Sequence, residues 1–218
     1  MAVVFFPSCK EKQDHPRESE KVKEYLYQRF QIEPVGCCRA GHKKLTPDDK
    51  AIVLCPTCAC IIEESSLTSK VSFLWEIIDQ DPNFVFPNYH HEAMTIQDCW
   101  SAKGRTGMQK AVRSLLKKMN IDVIELEDNY DQTTFCGTKL VNPCLKSNQI
   151  LAPKKYGGDN VKMFKPIVKD KQKAYFENYC QKFKTDKVVT YCHFCNEGIQ
   201  MANKQSIHLI ELLFPDNQ

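Results

Sequence analysis

Cysteines are the feature that most constrains this chain of 218 residues: there are 12, and many stand at very short spacing. Cys37 and Cys38 are adjacent, and C-x-x-C pairs begin at Cys55 and Cys192. In a small exported protein such a count predicts disulfides, but this N-terminus reaches a cysteine and then Lys10 before an apolar signal-peptide region is complete. A chain of this length can also bury its own core. The pattern therefore favours metal or cluster binding over a disulfide framework or scattered buried thiols.

The composition excludes several classes of protein. Hydrophobic residues make up 42% and charged residues 26% of the chain, which is typical of a globular protein. The 30 lysines and arginines nearly balance the 27 aspartates and glutamates, so the net charge of +3 predicts no nucleic-acid partner. The longest uncharged apolar stretch, 51–62, is too short to span a bilayer. We therefore expect a cytoplasmic protein with no membrane span.

Short apolar runs alternate with amphipathic segments along the chain. The predicted strands span 2–6, 51–54, 94–97, 121–126 and 188–191. The predicted helices span 16–30, 107–120 and 171–184. The apolar segment 71–78 suits either element, and another apolar segment, 207–214, closes the chain. This alternation predicts an α/β fold with mostly parallel sheets.

The two halves of the sequence are similar to each other. The run from Ile52 to Cys58 matches the run from Val189 to Cys195, since each is a strand-like segment that leads into a C-x-x-C pair. Proline, asparagine and histidine cluster over 82–91, which is typical of a boundary. We therefore predict two duplicated small α/β units, 1–88 and 89–218. Chance similarity of short strands is the alternative.

A basic segment, residues 146–173, interrupts the second predicted unit. It carries eight lysines against Asp159 and Asp170, which gives it a net charge of +6. Glycines and prolines also occur in it, so we interpret it as a long inserted loop. A solvated loop is one interpretation. The other is a docking surface for an acidic partner or an anionic substrate.

Five cysteines of the first half would meet at one edge of a sheet, because ligands bind at the carboxyl ends of parallel strands. They are Cys9, Cys37, Cys38, Cys55 and Cys58. Thiolates bind soft metals and iron–sulfur clusters, and five exceed the four that tetrahedral zinc or a simple cubane needs. The side chains of an adjacent pair rarely reach one tetrahedral ion. The count and the doublet therefore favour a larger, less regular cluster.

This order of Cys, Cys-Cys and C-x-x-C resembles the CCG domain found in the cysteine-rich subunit of heterodisulfide reductase. The same domain occurs in related thiol:fumarate reductases and in lactate and glycolate oxidation proteins. The similarity is closest over 53–62, 97–100, 105–127 and 190–213. It covers nearly all of the chain except the basic segment.

The resemblance implies a metal site built by five cysteines, which in this family hold a non-cubane [4Fe-4S] cluster that splits a disulfide between irons. By position, the catalytic ligands would be Cys9, Cys37, Cys38, Cys55 and Cys58. The first motif departs from the family pattern, since it reads Cys-Cys-Arg-Ala-Gly rather than Cys-Cys-Gly.

The resemblance also implies a second cofactor-binding motif. Its ligands would be Cys99, Cys136, Cys192 and Cys195. Phe135 stands where the first cysteine of the doublet is expected, so this motif supplies four thiolates unless Cys144 or Cys180 joins it. Four thiolates suit a cubane [4Fe-4S] cluster or a structural zinc ion. We therefore expect unequal sites, with the first catalytic and the second relaying electrons or holding structure.

The expected function is that of an enzyme, an iron–sulfur oxidoreductase subunit that reduces a disulfide or exchanges electrons with a small thiol or acid substrate. The chain lacks the cysteine run of bacterial ferredoxins and any flavin or nicotinamide fingerprint, so its electrons are expected from a separate iron–sulfur protein or subunit. One alternative is a non-enzymatic zinc- or cluster-binding structural or electron-transfer module. The other is a thiol–disulfide enzyme with bare cysteines.

Residues next to the cysteine motifs have possible supporting roles. His42 and His193 are candidate proton donors to a leaving thiolate, although such histidines more often only form hydrogen bonds. Cys60 lies outside the motifs. Trp75 and Trp100 are expected in the core or as shielding of a cluster.

Overall fold

The computed structural model describes residues 2–68 and 70–216, and within them seven strands form two parallel sheets. The first sheet has the order β1-β2-β3, and the second has the order β5-β4-β6-β7. The strands are β1 (Val3–Phe6), β2 (Lys50–Val53), β3 (Val71–Phe73), β4 (Glu92–Gln97), β5 (Ile121–Ile124), β6 (Lys187–Thr190) and β7 (Gln205–His208). Neighbouring strands run parallel in both sheets, so the predicted α/β class with parallel sheets is confirmed.

Eleven α-helices connect or flank these strands in the described residues. They are α1 (Cys9–Asp14), α2 (Pro16–Phe30), α3 (Cys38–Gly41), α4 (Pro56–Ser65), α5 (Leu74–Gln80), α6 (Thr106–Lys118), α7 (Lys146–Leu151), α8 (Pro153–Tyr156), α9 (Lys169–Cys180), α10 (His193–Met201) and α11 (Leu209–Leu213). Short 3-10 helices span His42–Lys44, Trp100–Ala102, Tyr130–Gln132, Gly137–Lys139 and Gly158–Met163. None of the helices described is long and apolar enough to cross a membrane.

The two sheets repeat one connectivity. In the second sheet, β5 lies beside β4; in the first, the chain at Pro34 runs parallel to β1 and forms a single bridge with Phe5. In the first half, β2 leads through a C-x-x-C pair into α4, and in the second half, β6 leads through a C-x-x-C pair into α10. Each half therefore places its cysteines by the same succession of elements. The boundary between residues 88 and 89 stays a prediction.

The last strand of each half continues directly into a helix. β3 runs into α5, where Glu76 accepts a hydrogen bond of 2.9 Å from the backbone N–H of Phe73. β7 runs into α11, where Glu211 accepts one of 2.7 Å from the backbone N–H of His208. A carboxylate in the first turn that caps the preceding N–H stabilises the start of a helix. The ambiguous segment 71–78 is therefore a strand followed by a helix.

A continuous hydrophobic core fills the space around both sheets. Its largest fully buried side chains include Trp75, Tyr191 and Phe135. The predicted boundary region also packs against this core through Phe84, and Tyr89 donates a hydrogen bond of 3.0 Å to the Leu212 carbonyl. The region is therefore part of the packed fold and not a detached linker.

The basic segment is helical, which corrects its interpretation as a long loop. It contains α7, α8, a 3-10 helix and the start of α9. Pro153 occupies the first position of α8, where its missing N–H costs nothing, and Tyr156 at the end of this helix is fully buried. Arg39 of α3 donates a hydrogen bond of 2.6 Å to Asn148 of α7. Buried anchors between the outward lysines therefore attach the segment to the first half.

Candidate metal centre

The nine cysteines of the two predicted motifs all lie at the beginnings of helical turns. The residues that immediately precede a helix or 3-10 helix are Cys37, Cys55, Cys99, Cys136 and Cys192. Those inside a first turn are Cys9, Cys38, Cys58 and Cys195. At the two longer helices, α4 and α10, unpaired N–H groups and the helix dipole make such positions favourable for negative charge. The fold therefore supports thiolates, or an anionic thiolate-bound cofactor, at both motifs.

The structure brings the five cysteines of the first motif together around one cavity of about 60 Å³. We call Cys9, Cys37, Cys38, Cys55 and Cys58 the open group. Cys9 is exposed, Cys37 and Cys55 are half-buried, and Cys38 and Cys58 are buried. The thiols of Cys55 and Cys38 each lie within hydrogen-bond reach of Cys58, and Cys9 lies within reach of Cys37. The group can therefore gather thiolates while it remains accessible from solvent.

The thiols of the open group differ in acidity. The hydrogen bond from Cys58 lowers the pKa of Cys55 to about 7, while the same contacts raise the pKa of Cys58. Burial and the neighbouring Cys37 raise the pKa of Cys9 to about 11. Without a metal, Cys55 therefore ionises near neutral pH, and the hydrogen bond with Cys58 lowers the pKa of Cys38 as well. A bound metal requires all of its thiol ligands to be deprotonated.

The second motif forms what we call the closed group: Cys99, Cys136, Cys192 and Cys195. All four side chains are at most 1% exposed. The Sγ atoms of Cys99, Cys192 and Cys195 lie within 4.8 Å of one another, and the Sγ of Cys136 lies 3.8 Å from that of Cys99. These buried cysteines can hold a metal ion or cluster.

A glycine contact positions Cys136 in the closed group. Gly137 has a φ of +56°, and a Cβ atom there would lie 1.7 Å from the Phe194 carbonyl oxygen. Only glycine allows this close approach of the 137 backbone to the start of α10. The approach places Cys136 beside Cys192 and Cys195. Ser101 adds a contact of 3.2 Å between its Oγ and the Sγ of Cys136.

No fifth thiol completes the closed group within the described residues. Phe135, at the position of the missing cysteine, is fully buried and stacks on the Tyr179 ring at 4.1 Å. Cys180 is buried in the hydrophobic core on α9. The Sγ of Cys144 lies 3.8 Å from the Tyr156 carbonyl oxygen, beside a different cavity. The closed group therefore has four cysteines.

Cys60 and the tryptophans lie beside the two groups without joining them. Cys60 is buried, and its Sγ lies 3.8 Å from the Ser101 carbonyl oxygen and 3.6 Å from Arg105. Trp75 is fully buried, and Trp100 is 8% exposed with the Lys155 ammonium 4.3 Å from its ring centre. Both tryptophans are part of the core.

A buried lysine lies between the two groups, and the sequence did not single it out. Lys139 is 8% exposed, and its ammonium donates to the hydroxyls of Thr57 and Tyr156, the latter at 3.2 Å. Burial lowers the pKa of Lys139, but electrostatic interactions with Tyr156 and with the surrounding thiols outweigh burial and raise the pKa well above its usual value. The thiols concerned are those of Cys136, Cys192 and Cys55. One cation thus faces both groups.

The two candidate proton donors have different surroundings. His42 is buried, and its Nδ1 lies 2.8 Å from the Cys38 carbonyl oxygen. His193 lines the cavity of the open group, and its Nδ1 pairs with the Asp14 carboxylate. Burial lowers the pKa of His193, which favours its neutral form. Its Nε2 is buried and has no hydrogen-bond partner among the described residues.

A larger cavity of about 760 Å³ adjoins the open group. Three residues, Lys10, Asn148 and Phe194, line both cavities. Lys139 and Cys144 also line the larger one. It is large enough for a small molecule and carries positive charge at its wall.

Comparison of the chain with protein-family models, with curated proteins and with solved structures finds no match. Assignment to the CCG domain family therefore stays a prediction based on the residues of the two motifs.

Proposed function

We propose that this chain is an iron–sulfur oxidoreductase subunit, similar to the cysteine-rich subunit of heterodisulfide reductase, that reduces a disulfide or exchanges electrons with a small thiol or acid. The convergence of all five cysteines of the open group on one partly exposed cavity carries this proposal. Five thiolates suit an irregular [4Fe-4S] cluster better than a tetrahedral ion. The open side leaves room for a substrate to approach.

The position of Lys139 supports an anionic centre. A buried ammonium without a counter-charge is unfavourable by several kcal/mol, on the order of the cost of any isolated buried ion. Its hydrogen-bond partners, Thr57 and Tyr156, are neutral hydroxyls. The negative charge that balances it must therefore come from the nearby thiolates or from a thiolate-bound cluster.

Substrate would enter through the cavity of about 760 Å³. Lys10, Lys139 and Lys169 outnumber Glu197 in its wall, so the wall carries the net positive charge that attracts a carboxylate or thiolate. Phe194 lies between this cavity and the open group and contributes an apolar surface. An anionic small molecule with an apolar portion fits this lining.

The residues of the chain would bind the substrate and move protons. A cluster held by the open group would supply electrons to the sulfur–sulfur bond. Reduction of a disulfide takes two electrons and two protons and releases two thiols. Asp14 holds the Nδ1 side of His193, and the Nε2 atom, 3.8 Å from Glu197 Oε2, would exchange a proton with a leaving thiolate.

The closed group would pass electrons to the open group. Cys55 of the open group is close enough to Cys192 of the closed group for their charges to interact. The electrons would come from a separate protein or subunit that carries conventional clusters. The lysines of the basic segment are the candidate surface for an acidic partner of this kind.

The decisive experiment is anaerobic purification followed by iron, sulfide and zinc analysis and EPR spectroscopy. We expect iron and sulfide in the wild type, and an EPR signal that Cys37→Ala abolishes together with disulfide reduction. Cys144→Ala is the matched control, because Cys144 lies outside both groups, and it should keep the signal. A Cys37→Ala variant that retains both the signal and the activity would contradict the proposal.

A second candidate function is a non-enzymatic module with structural zinc. The complete burial of the closed group favours it, because structural zinc sites are closed and four-coordinate. This function predicts a colourless protein with one or two equivalents of zinc and no sulfide. That result in the same analysis would replace the oxidoreductase proposal.

A further inference from the structure

Three polar residues outside both cysteine groups converge in the interior. Glu11 of α1 and His208 at the end of β7 are 2% and 1% exposed, and the side chain of His15, between α1 and α2, is 11% exposed. Glu11 Oε1 lies 2.9 Å from His208 Nδ1 and 3.6 Å from His15 Nε2. One ligand atom from each residue lies within 4.8 Å of the other two.

Hydrogen bonding accounts for only part of this cluster, since His208 Nδ1 accepts a bond of 3.4 Å from the Ile210 N–H. Glu11 Oε1 and His15 Nε2 are buried and make no hydrogen bond among the described residues, and neither does His208 Nε2, the ring nitrogen that does not lie beside Glu11. A buried polar atom left without a partner costs about 1–3 kcal/mol. An ion pair between Glu11 and a protonated His208 would use only one imidazole. The carboxylate oxygen faces two ring nitrogens at once, as a shared ion would require.

The donor set and its surroundings match a known type of metal site. Imidazole nitrogen and carboxylate oxygen are ordinary zinc ligands at about 2.0–2.2 Å, which separates tetrahedral donors by roughly 3.4 Å. The observed 2.9 and 3.6 Å bracket that separation. On its other side, His15 Nδ1 lies 3.8 Å from Glu211 Oε1. A carboxylate behind a metal-bound histidine is the usual outer partner that orients the ring.

We propose that Glu11, His15 and His208 bind a divalent transition-metal ion such as Zn²⁺, at a site separate from the cysteine groups. Glu11 and His15 belong to the first half of the chain and His208 to the second. The ion therefore joins α1, which carries Cys9, to the end of β7. Its role is to fasten the two halves together beside the open group.

Zinc titration of the metal-stripped full chain, with X-ray absorption at the zinc edge, tests this proposal. We expect one equivalent of zinc with only nitrogen and oxygen ligands, in addition to any thiolate-bound metal. His15→Gln and His208→Gln each remove a ligand of the ion. Each should lower the affinity for this zinc ion by more than the roughly 10- to 100-fold that is typical of losing a residue that only orients a ligand. Glu211→Gln should weaken it within that range.

The control is His91→Gln, since His91 pairs with Asp122 on the surface. It should leave the zinc affinity unchanged. If His208→Gln does not fold, His15→Gln still tests the site, because His15 lies at its edge. The proposal would be overturned if the wild type bound no zinc through nitrogen and oxygen ligands. It would also be overturned if His15→Gln left the affinity for that zinc ion unchanged. In either case the cluster would be an ion pair only.

Discussion

The two cysteine groups are built by the same succession of strand, C-x-x-C and helix, yet they differ in access to solvent. The open group has five thiols around a cavity, and Cys9 is exposed. The closed group has four thiols, all at most 1% exposed. The substitution that separates them is Phe135, which fills the place of the fifth thiol with a stacked ring. One repeated architecture thus gives one group that is open to solvent and one that is enclosed in the core.

The largest expected effect comes from adding a side chain at Gly137. In Gly137→Ala the new Cβ would collide with the Phe194 carbonyl, so Cys136 must leave the closed group. We expect a loss of about 3 kcal/mol or more in the free energy of unfolding, together with loss of the closed-group metal. Denaturant titration and metal analysis measure both.

The matched control for that change is Gly36→Ala, next to the open group. Gly36 has a φ of +36° and no atom within 4 Å of its added Cβ. It should cost only about 1–2 kcal/mol from backbone strain and leave both metals bound. Equal costs at the two glycines would mean that the close approach at Phe194 does not maintain the closed group.

The next prediction concerns the Lys139 ammonium, which faces both cysteine groups. Lys139→Met removes the buried cation, and we expect the metal-loaded protein to lose about 3 kcal/mol of stability. Its reduction potential should fall, because an added electron is no longer balanced by the ammonium. Lys162→Met is the control, since its side chain is 80% exposed, and it should change stability by less than about 0.5 kcal/mol. A Lys139→Met variant as stable as the wild type would indicate neutral thiols.

A chelator should remove metal from the open group faster than from the closed group. A chelator reaches the open group directly, but it reaches the closed group only after local unfolding. If that opening costs about 3 kcal/mol, the closed-group metal leaves roughly 100-fold more slowly. Stopped-flow absorbance with a coloured chelator measures the two phases. A single phase accounting for all of the metal would show that burial does not distinguish the sites.

The smallest expected effect concerns the thiols without metal. Because the thiolate is the nucleophile, alkylation of Cys55 should rise with pH and reach half its maximum near pH 7. Cys9, with a pKa of about 11, should react roughly tenfold more slowly at pH 8 although it is more exposed. Mass spectrometry of the alkylated peptides gives both rates. Faster alkylation of Cys9 would mean that exposure outweighs the hydrogen bond from Cys58.

Much of the fold follows from local sequence. The predicted helix 16–30 has the observed bounds of α2, and every predicted strand overlaps an observed one. Local periodicity and the cysteines after each apolar run were sufficient to place these helices and strands, because both are properties of neighbouring residues. The helices of the basic segment were missed because they are short and their lysines and glycines obscure the apolar pattern. Tyr156 and Asn148 anchor them only through contacts with distant residues.

The site was predicted in part for the same reason. The spacing of the cysteines singled out the five of the open group, and the resemblance to the CCG domain added the four of the closed group; the structure brings each set together. Lys139 has no local motif, since its importance depends on thiols more than 50 residues away as well as on Cys136. Glu11, His15 and His208 are likewise united only by the packing of α1 against the end of β7. Such convergence depends on tertiary structure, which spacing alone does not reveal.

The burial of the closed group also has a consequence for how the protein matures. Cys99 and Cys195 have no solvent-exposed surface once α10 has packed against Gly137, so an incoming cofactor reaches them in the finished fold only through local unfolding. Delivery is therefore fastest before the final compaction of the second half, during or soon after synthesis. The site that contains Cys9 can be filled, or repaired after oxidative damage, at any later time.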